Sequence, residues 1–84
     1  MVVKYKPSFL REFKKLPPDL QEEALERIKL FKDKSNHKKL KVHKLKGRLK
    51  NFYSFSVTYS HRIVFEHEKE GVVFLAIGDH DIYR

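Results

Sequence analysis

Tyr53-Ser54-Phe55-Ser56-Val57-Thr58-Tyr59 is the stretch that decides the fold. Tyr53, Phe55, Val57 and Tyr59 alternate with small hydroxyl residues, the period of two of a strand with one buried face. Ser60-His61 fits a short turn, and Arg62-Ile63-Val64-Phe65 begins a second strand. The charged stretch from Glu66 to Gly71 then turns the chain, and Val72 to Ile77 forms a nearly continuous apolar strand that Gly78 ends. Three strands joined by short turns predict an antiparallel meander.

Upstream of this meander the period changes. Leu20, Ala24, Ile28 and Phe31 recur at helical spacing, with Pro18 suited to the first helical position and Asp19, Glu22 and Glu23 in the first turns. Arg27, Lys29 and Lys32 come late in this helix, as its dipole prefers. Before Pro17-Pro18, Phe9, Phe13 and Leu16 share the face of a shorter helix that Ser8 can cap. Val2, Val3 and Tyr5 form a β-prone run ended by Pro7, and Asp33 to Lys46 is irregular, with a turn expected at Ser35-Asn36. The expected class is α+β in the order β-α-α-β-β-β. A helical hairpin packs on one face of a mainly antiparallel four-stranded sheet, and residues 1–84 form one domain.

Seven Phe and four Tyr supply the bulk a small core needs. With no cysteine there is neither a disulfide framework nor a thiolate metal site, which fits a reducing cytoplasm. Met1 to Tyr5 lacks the apolar run of a signal peptide, and no stretch approaches the roughly 20 apolar residues that span a bilayer. The formal charge of +8 is concentrated. Between Lys32 and Lys50 lie eight Lys, Arg48 and a single acid, Asp33, while elsewhere ten basic and ten acidic residues cancel. Such a block makes a directional field that attracts polyanions. Its Lys38, Lys39, Lys41, Lys44, Lys46, Arg48 and Lys50 are the expected RNA contacts. The plainer reading is a solvated lysine-rich loop.

Cleavage of an RNA phosphodiester needs a base for the 2′-hydroxyl, an acid for the leaving 5′-oxygen, and cations for the charge building on the phosphate. Histidine suits the proton transfers and arginine the phosphate, without a metal or cofactor. The chain offers His43 at the exit of the basic block, Arg62 at a strand start, and His80 with Tyr83 after the last strand. Strand parity puts Arg62 on the opposite face from Ile63 and Phe65. Each has an ordinary alternative: His43 as a loop residue, Arg62 paired with Glu66 or Glu68, His80 beside Asp79 and Asp81 as a metal ligand, Tyr83 as core. His37 and His67 read as exposed surface residues, and His61 has no clear assignment.

Three stretches carry a resemblance: His43-Lys44-Leu45-Lys46-Gly47, Tyr59-Ser60-His61-Arg62-Ile63-Val64-Phe65, and Ile77-Gly78-Asp79-His80-Asp81-Ile82-Tyr83. With the element order, they resemble the RelE/ParE superfamily of bacterial and archaeal toxins over nearly the whole chain. The resemblance implies a RelE-like fold and the toxin of a type II toxin–antitoxin pair. RelE-like members enter the ribosomal A site and cut mRNA; ParE-like members poison DNA gyrase. It implies that Arg62 contacts the scissile phosphate, His80 stands at the general-acid position, and Tyr83 stacks on or orients a base. His43 matches a histidine before the glycine in the YafQ-like branch. RelE carries catalytic lysines on its second strand, and Phe52 to Tyr59 here has none, which moves the work towards His43 with Lys44 and Lys46. The chain also stops just after Tyr83, so no C-terminal helix is expected. The implied activity is a metal-independent endoribonuclease acting on ribosome-bound mRNA, with His43 and His80 as an unassigned base–acid pair. The alternative is a non-enzymatic gyrase inhibitor or an inactive antitoxin-bound homologue. The expected partners are an acidic antitoxin, mRNA and the ribosome.

Overall fold

The computed structural model describes residues 1–47 and 51–79. Strand β1 (Val2–Tyr5) leads into helices α1 (Pro7–Lys14) and α2 (Pro18–Phe31). A 3-10 turn at Lys34–Asn36 follows, then strands β2 (His43–Lys44), β3 (Phe52–Ser56), β4 (Arg62–Glu68) and β5 (Gly71–Gly78). The sheet order is β1-β5-β4-β3-β2, with β1 parallel to β5 and every other pair antiparallel. The expected α+β class holds, and among the described residues the sheet has five strands where four were expected. The extra one is β2, whose His43 and Lys44 pair with Ser54 and Tyr53 of β3. Two polar residues on a sheet edge carry no apolar alternation, so only their backbone pairing marks them as a strand.

The core lies between the helices and one face of the sheet. Phe9, Ala24, Ile28 and Phe31 from the helices meet Phe55, Ile63, Phe65, Phe74 and Ile77. Phe31 is central: it stacks on Phe55 at 4.4 Å and meets Phe65 and Phe74 edge-on at 5.0 and 5.6 Å between ring centroids. These are the offset and T-shaped geometries that aromatic quadrupoles favour. The Pro17-Pro18 joint is closed by Gln21, whose amide donates to the Phe13 and Leu16 carbonyls at 3.1 Å each. It thereby ties the exit of α1 to the start of α2, sharing the Phe13 carbonyl with the Leu16 N–H at 3.1 Å.

Helix α1 completes the edge of β5. Parallel pairing with β1 stops at the Tyr5–Phe74 pair. Beyond it, the Ser8 hydroxyl donates to the Leu75 carbonyl at 2.8 Å and Glu12 Oε1 accepts from the Ile77 N–H at 3.0 Å. One helical turn apart, Ser8 and Glu12 replace the missing strand. Ser8 is therefore not the cap of α1: Lys6 holds that position without a side-chain hydrogen bond, and Pro7 starts the helix. Gly71 admits β1 at the other end of β5, because a Cβ there would overlap the Val2 carbonyl.

Two further expectations change. The stretch Glu66 to Gly71 is not all turn, since Glu66, His67 and Glu68 continue β4 and only Lys69-Glu70 reverse the chain. Their charges mark a solvated strand end. His37 is no free surface residue: its Nε2 lies 2.7 Å from the Phe31 carbonyl and its ring stacks on Phe31 at 4.5 Å.

Candidate functional site

Arg62 opens β4 directly opposite Ser56, and His43 stands opposite Ser54 on the other side of β3. Paired residues in an antiparallel sheet share a face, and so do residues two apart. His43, Ser54, Ser56 and Arg62 therefore lie on the face opposite the aromatic core. Two strand spacings and two residues along the strand put the His43 and Arg62 Cα atoms about 12 Å apart. His43 does not line the pocket that holds Arg62.

Local structure fixes the Arg62 guanidinium. One terminal nitrogen donates to Ser56 Oγ at 3.0 Å and reaches the carbonyls of Thr58 and Tyr59 at 3.3 and 3.5 Å. Among the described residues its Nε and other terminal nitrogen make no hydrogen bond, and Arg62 forms no ion pair with Glu66 or Glu68. A guanidinium tethered at one corner keeps two parallel N–H groups for phosphate oxygens, the bidentate geometry in which arginine excels.

The turn that holds Arg62 is itself tied down. The Val57 and Thr58 N–H groups donate to the His61 carbonyl at 2.9 and 3.3 Å, and the His61 N–H donates to Thr58 Oγ1 at 3.2 Å. Beside it runs the basic segment, anchored by Leu40, which is buried in the core and accepts from the Ser56 N–H at 2.9 Å. Lys39 and Lys41 flank that anchor. Lys41 has φ 60°, a left-handed conformation that costs a β-carbon residue roughly 1–2 kcal/mol. Together Arg27, Lys39, Lys41 and Arg62 line a pocket of about 220 Å³, completed by Leu40, Ser56, Val57, Thr58 and Tyr59. Arg27 arrives from α2, held by Glu23 Oε1 at 3.1 Å. Four cations face this space, and that glutamate is the one acid paired to any of them among the described residues.

His43 is exposed on the edge strand, with Nδ1 2.9 Å from the Lys41 carbonyl. A carbonyl only accepts, so this contact puts a proton on Nδ1 and, in the neutral ring, the lone pair on Nε2. Asp33 stands at the head of the basic segment. Its carboxyl is held below the usual range by the Ser35 hydroxyl, then by the Ser35 N–H, with a smaller contribution from His37.

Of the residues expected to contact RNA, Lys39 and Lys41 line the pocket; Lys38, Lys44 and Lys46 are exposed outside its lining. Lys44 pairs with Tyr53, which puts it on the sheet face opposite His43. Arg48, Lys50, His80 and Tyr83 lie outside the described residues. Sequence reasoning missed Arg27, assigned to the helix dipole, and Tyr59, assigned to the core alternation. Tyr59 is 96% exposed, because β3 ends at Ser56 and the turn carries the ring into solvent. The Ser60-His61 turn directly after it was the available signal.

The family description that matches the chain is the ParE-like toxin domain, over residues 18–84. Among curated proteins, none matches. Several solved structures share the fold at low identity. The YoeB–YefM complex from Staphylococcus aureus matches with a TM-score of 0.74 and 18% identity, covering 95% of this chain and 97% of that one. The DinJ–YafQ toxin–antitoxin complex of E. coli matches at 0.76 and 14%, covering 96% and 93%. The RelBE2 toxin–antitoxin complex of Mycobacterium tuberculosis matches at 0.71 and 20%, covering 94% and 96%. With four fifths of its residues inside one family description, this chain belongs to the ParE-like toxin domains of the RelE/ParE superfamily of type II toxins.

Proposed function

We propose that this toxin is an endoribonuclease that cuts mRNA on the ribosome by attack of a ribose 2′-oxygen on the adjacent phosphorus. The observation that supports it most is Arg62, tethered through one nitrogen in a cationic pocket, with His43 on the same sheet face. In this reading His43 Nε2 takes the 2′-hydroxyl proton, since the Lys41 carbonyl occupies Nδ1–H. The 2′-oxygen bonds to phosphorus while Arg62 stabilises the charge on the non-bridging oxygens. The bond to the 5′-oxygen breaks, and His80 delivers the proton that the leaving group needs. The products are a 2′,3′-cyclic phosphate and a 5′-hydroxyl. Tyr83 holds the nucleotide, and Lys38, Lys39, Lys41, Lys44, Lys46, Arg48 and Lys50 contact the mRNA and rRNA backbone. The steps use side chains alone, without a cofactor. We assign residues 1–84 to one cytoplasmic domain, neutralised in the cell by an acidic antitoxin, as the relatives solved with YefM, RelB and DinJ suggest.

The match to the ParE-like toxin domain keeps one rival in view, the gyrase inhibitor that the sequence resemblance also implies. Purified protein added to a translating extract separates the two. The ribonuclease reading expects cut mRNA at ribosomal positions and a loss of about 10²–10³-fold in rate for Arg62→Ala. Intact mRNA together with inhibited DNA supercoiling would replace it with the gyrase reading.

A further inference from the structure

We infer that Tyr59 is a stacking platform for a nucleobase of single-stranded RNA whose phosphate sits in the neighbouring cationic pocket. The inference rests on the reading of RNA as the ligand and adds a binding subsite that the cleavage chemistry does not require. Tyr59 stands out among the aromatics: Phe9, Phe31, Phe55, Phe65 and Phe74 are buried, whereas its ring is 96% exposed. A ring wholly in water adds nothing to core burial. Its backbone is nevertheless fixed from both sides. The Tyr59 carbonyl accepts from Arg62, and the residues around it are cross-linked by the Val57–His61 and Thr58–His61 hydrogen bonds. A rigid turn presenting a bare ring is pre-organised, so little ordering entropy is lost when a flat partner arrives.

The surroundings select the partner. The 220 Å³ pocket beside the ring is smaller than the several hundred Å³ of ordinary small-molecule sites and suits a phosphate group. Its cations provide the charge for one, and Ser56 and Thr58 add hydroxyls. An aromatic face next to a cationic backbone track is the arrangement that binds single strands, with the base on the ring and the phosphate on the cations. A peptide anchor would need apolar neighbours to exclude water around the ring. The apolar lining here, Leu40 and Val57, is buried, and none of the other exposed large apolar residues (Met1, Val2, Tyr5, Leu10 and Leu25) lines the pocket.

The test is equilibrium binding of a short 2′-O-methyl oligoribonucleotide carrying 2-aminopurine, which cannot undergo 2′-attack, to the full chain. Tyr59→Ala should weaken binding about 5- to 150-fold, abolish the stacking quench, and leave the salt slope unchanged. Tyr59→Phe should bind within about twofold of the parent, because the ring face is retained. Lys39→Ala should lower the salt slope by about 0.7 while keeping the quench. Parental affinity and quench in Tyr59→Ala overturn the platform, as does a Tyr59→Ala loss that Tyr59→Phe shares. Ribosomal cleavage by the parent is scored separately. If cleavage is absent while the oligonucleotide results hold, the ribonuclease reading falls and the platform stands. If cleavage persists while Tyr59→Ala binds normally, only the platform falls.

Discussion

Replacing Glu12 with alanine should destabilise the protein more than any other single change on the surface of α1. Its carboxylate accepts the Ile77 N–H at 3.0 Å, beyond the point where β1 stops pairing with β5, and Ile77 is 2% exposed. Water has little access to replace the acceptor, so Glu12→Ala leaves a buried donor unsatisfied at a cost of about 2 kcal/mol. For a domain of this size that corresponds to a fall in Tm of about 8–16 °C. Glu12→Gln keeps an acceptor oxygen and loses only the charge assistance, so it should cost about half as much. Thermal unfolding of the three proteins gives the order, and amide hydrogen exchange locates the effect: Ile77 should exchange faster in Glu12→Ala while Val64 and Phe65 keep their relative protection. Because β5 leads into Asp79 and the segment bearing His80, cleavage should fall with the loosened strand end. A Glu12→Ala protein with parental Tm and unchanged Ile77 exchange would refute the role given to α1 as the substitute strand.

Lys41→Gly should act in opposite directions on stability and binding. Relief of the left-handed backbone adds about 1 kcal/mol, read as a higher Tm, while loss of a pocket cation weakens oligonucleotide binding. Gly71→Ala should lower stability by about 1–3 kcal/mol and strip exchange protection from Val2–Tyr5, since the added methyl meets the Val2 backbone. Asp33 has its folded pKa held below the ordinary 3.8 of its carboxyl by the Ser35 hydroxyl and N–H, so its stabilising contribution is present above that value and is lost as pH falls through the lowered one. Unfolding profiles of parent and Asp33→Asn should therefore converge in acid and separate above about pH 4.

The sheet was legible where burial and period coincide. Phe55, Ile63, Phe65 and Phe74 face the helices as their alternation and apolar runs implied. Tyr59 shows the limit of that signal, because alternation continues in the sequence after the strand has ended at Ser56. Strand β2 was invisible since an edge pair held by backbone hydrogen bonds leaves His43 and Lys44 free to be polar. Ser8 misled in a similar way: its chemistry suits capping, and only the premature end of β1 makes it, together with Glu12, a partner of β5. Within the site, Arg62 was recognisable from its strand position. Arg27 was not, because no local pattern says that a mid-helix arginine will meet a loop thirty residues later.

Attack by the 2′-oxygen leaves its signature at the ends of the cut RNA. After reaction of the purified toxin with mRNA on ribosomes, the upstream fragment should carry a 2′,3′-cyclic phosphate and the downstream one a 5′-hydroxyl. Both should fade in His43→Ala and Arg62→Ala. A 3′-hydroxyl paired with a 5′-phosphate, or parental cleavage by both variants, would contradict it.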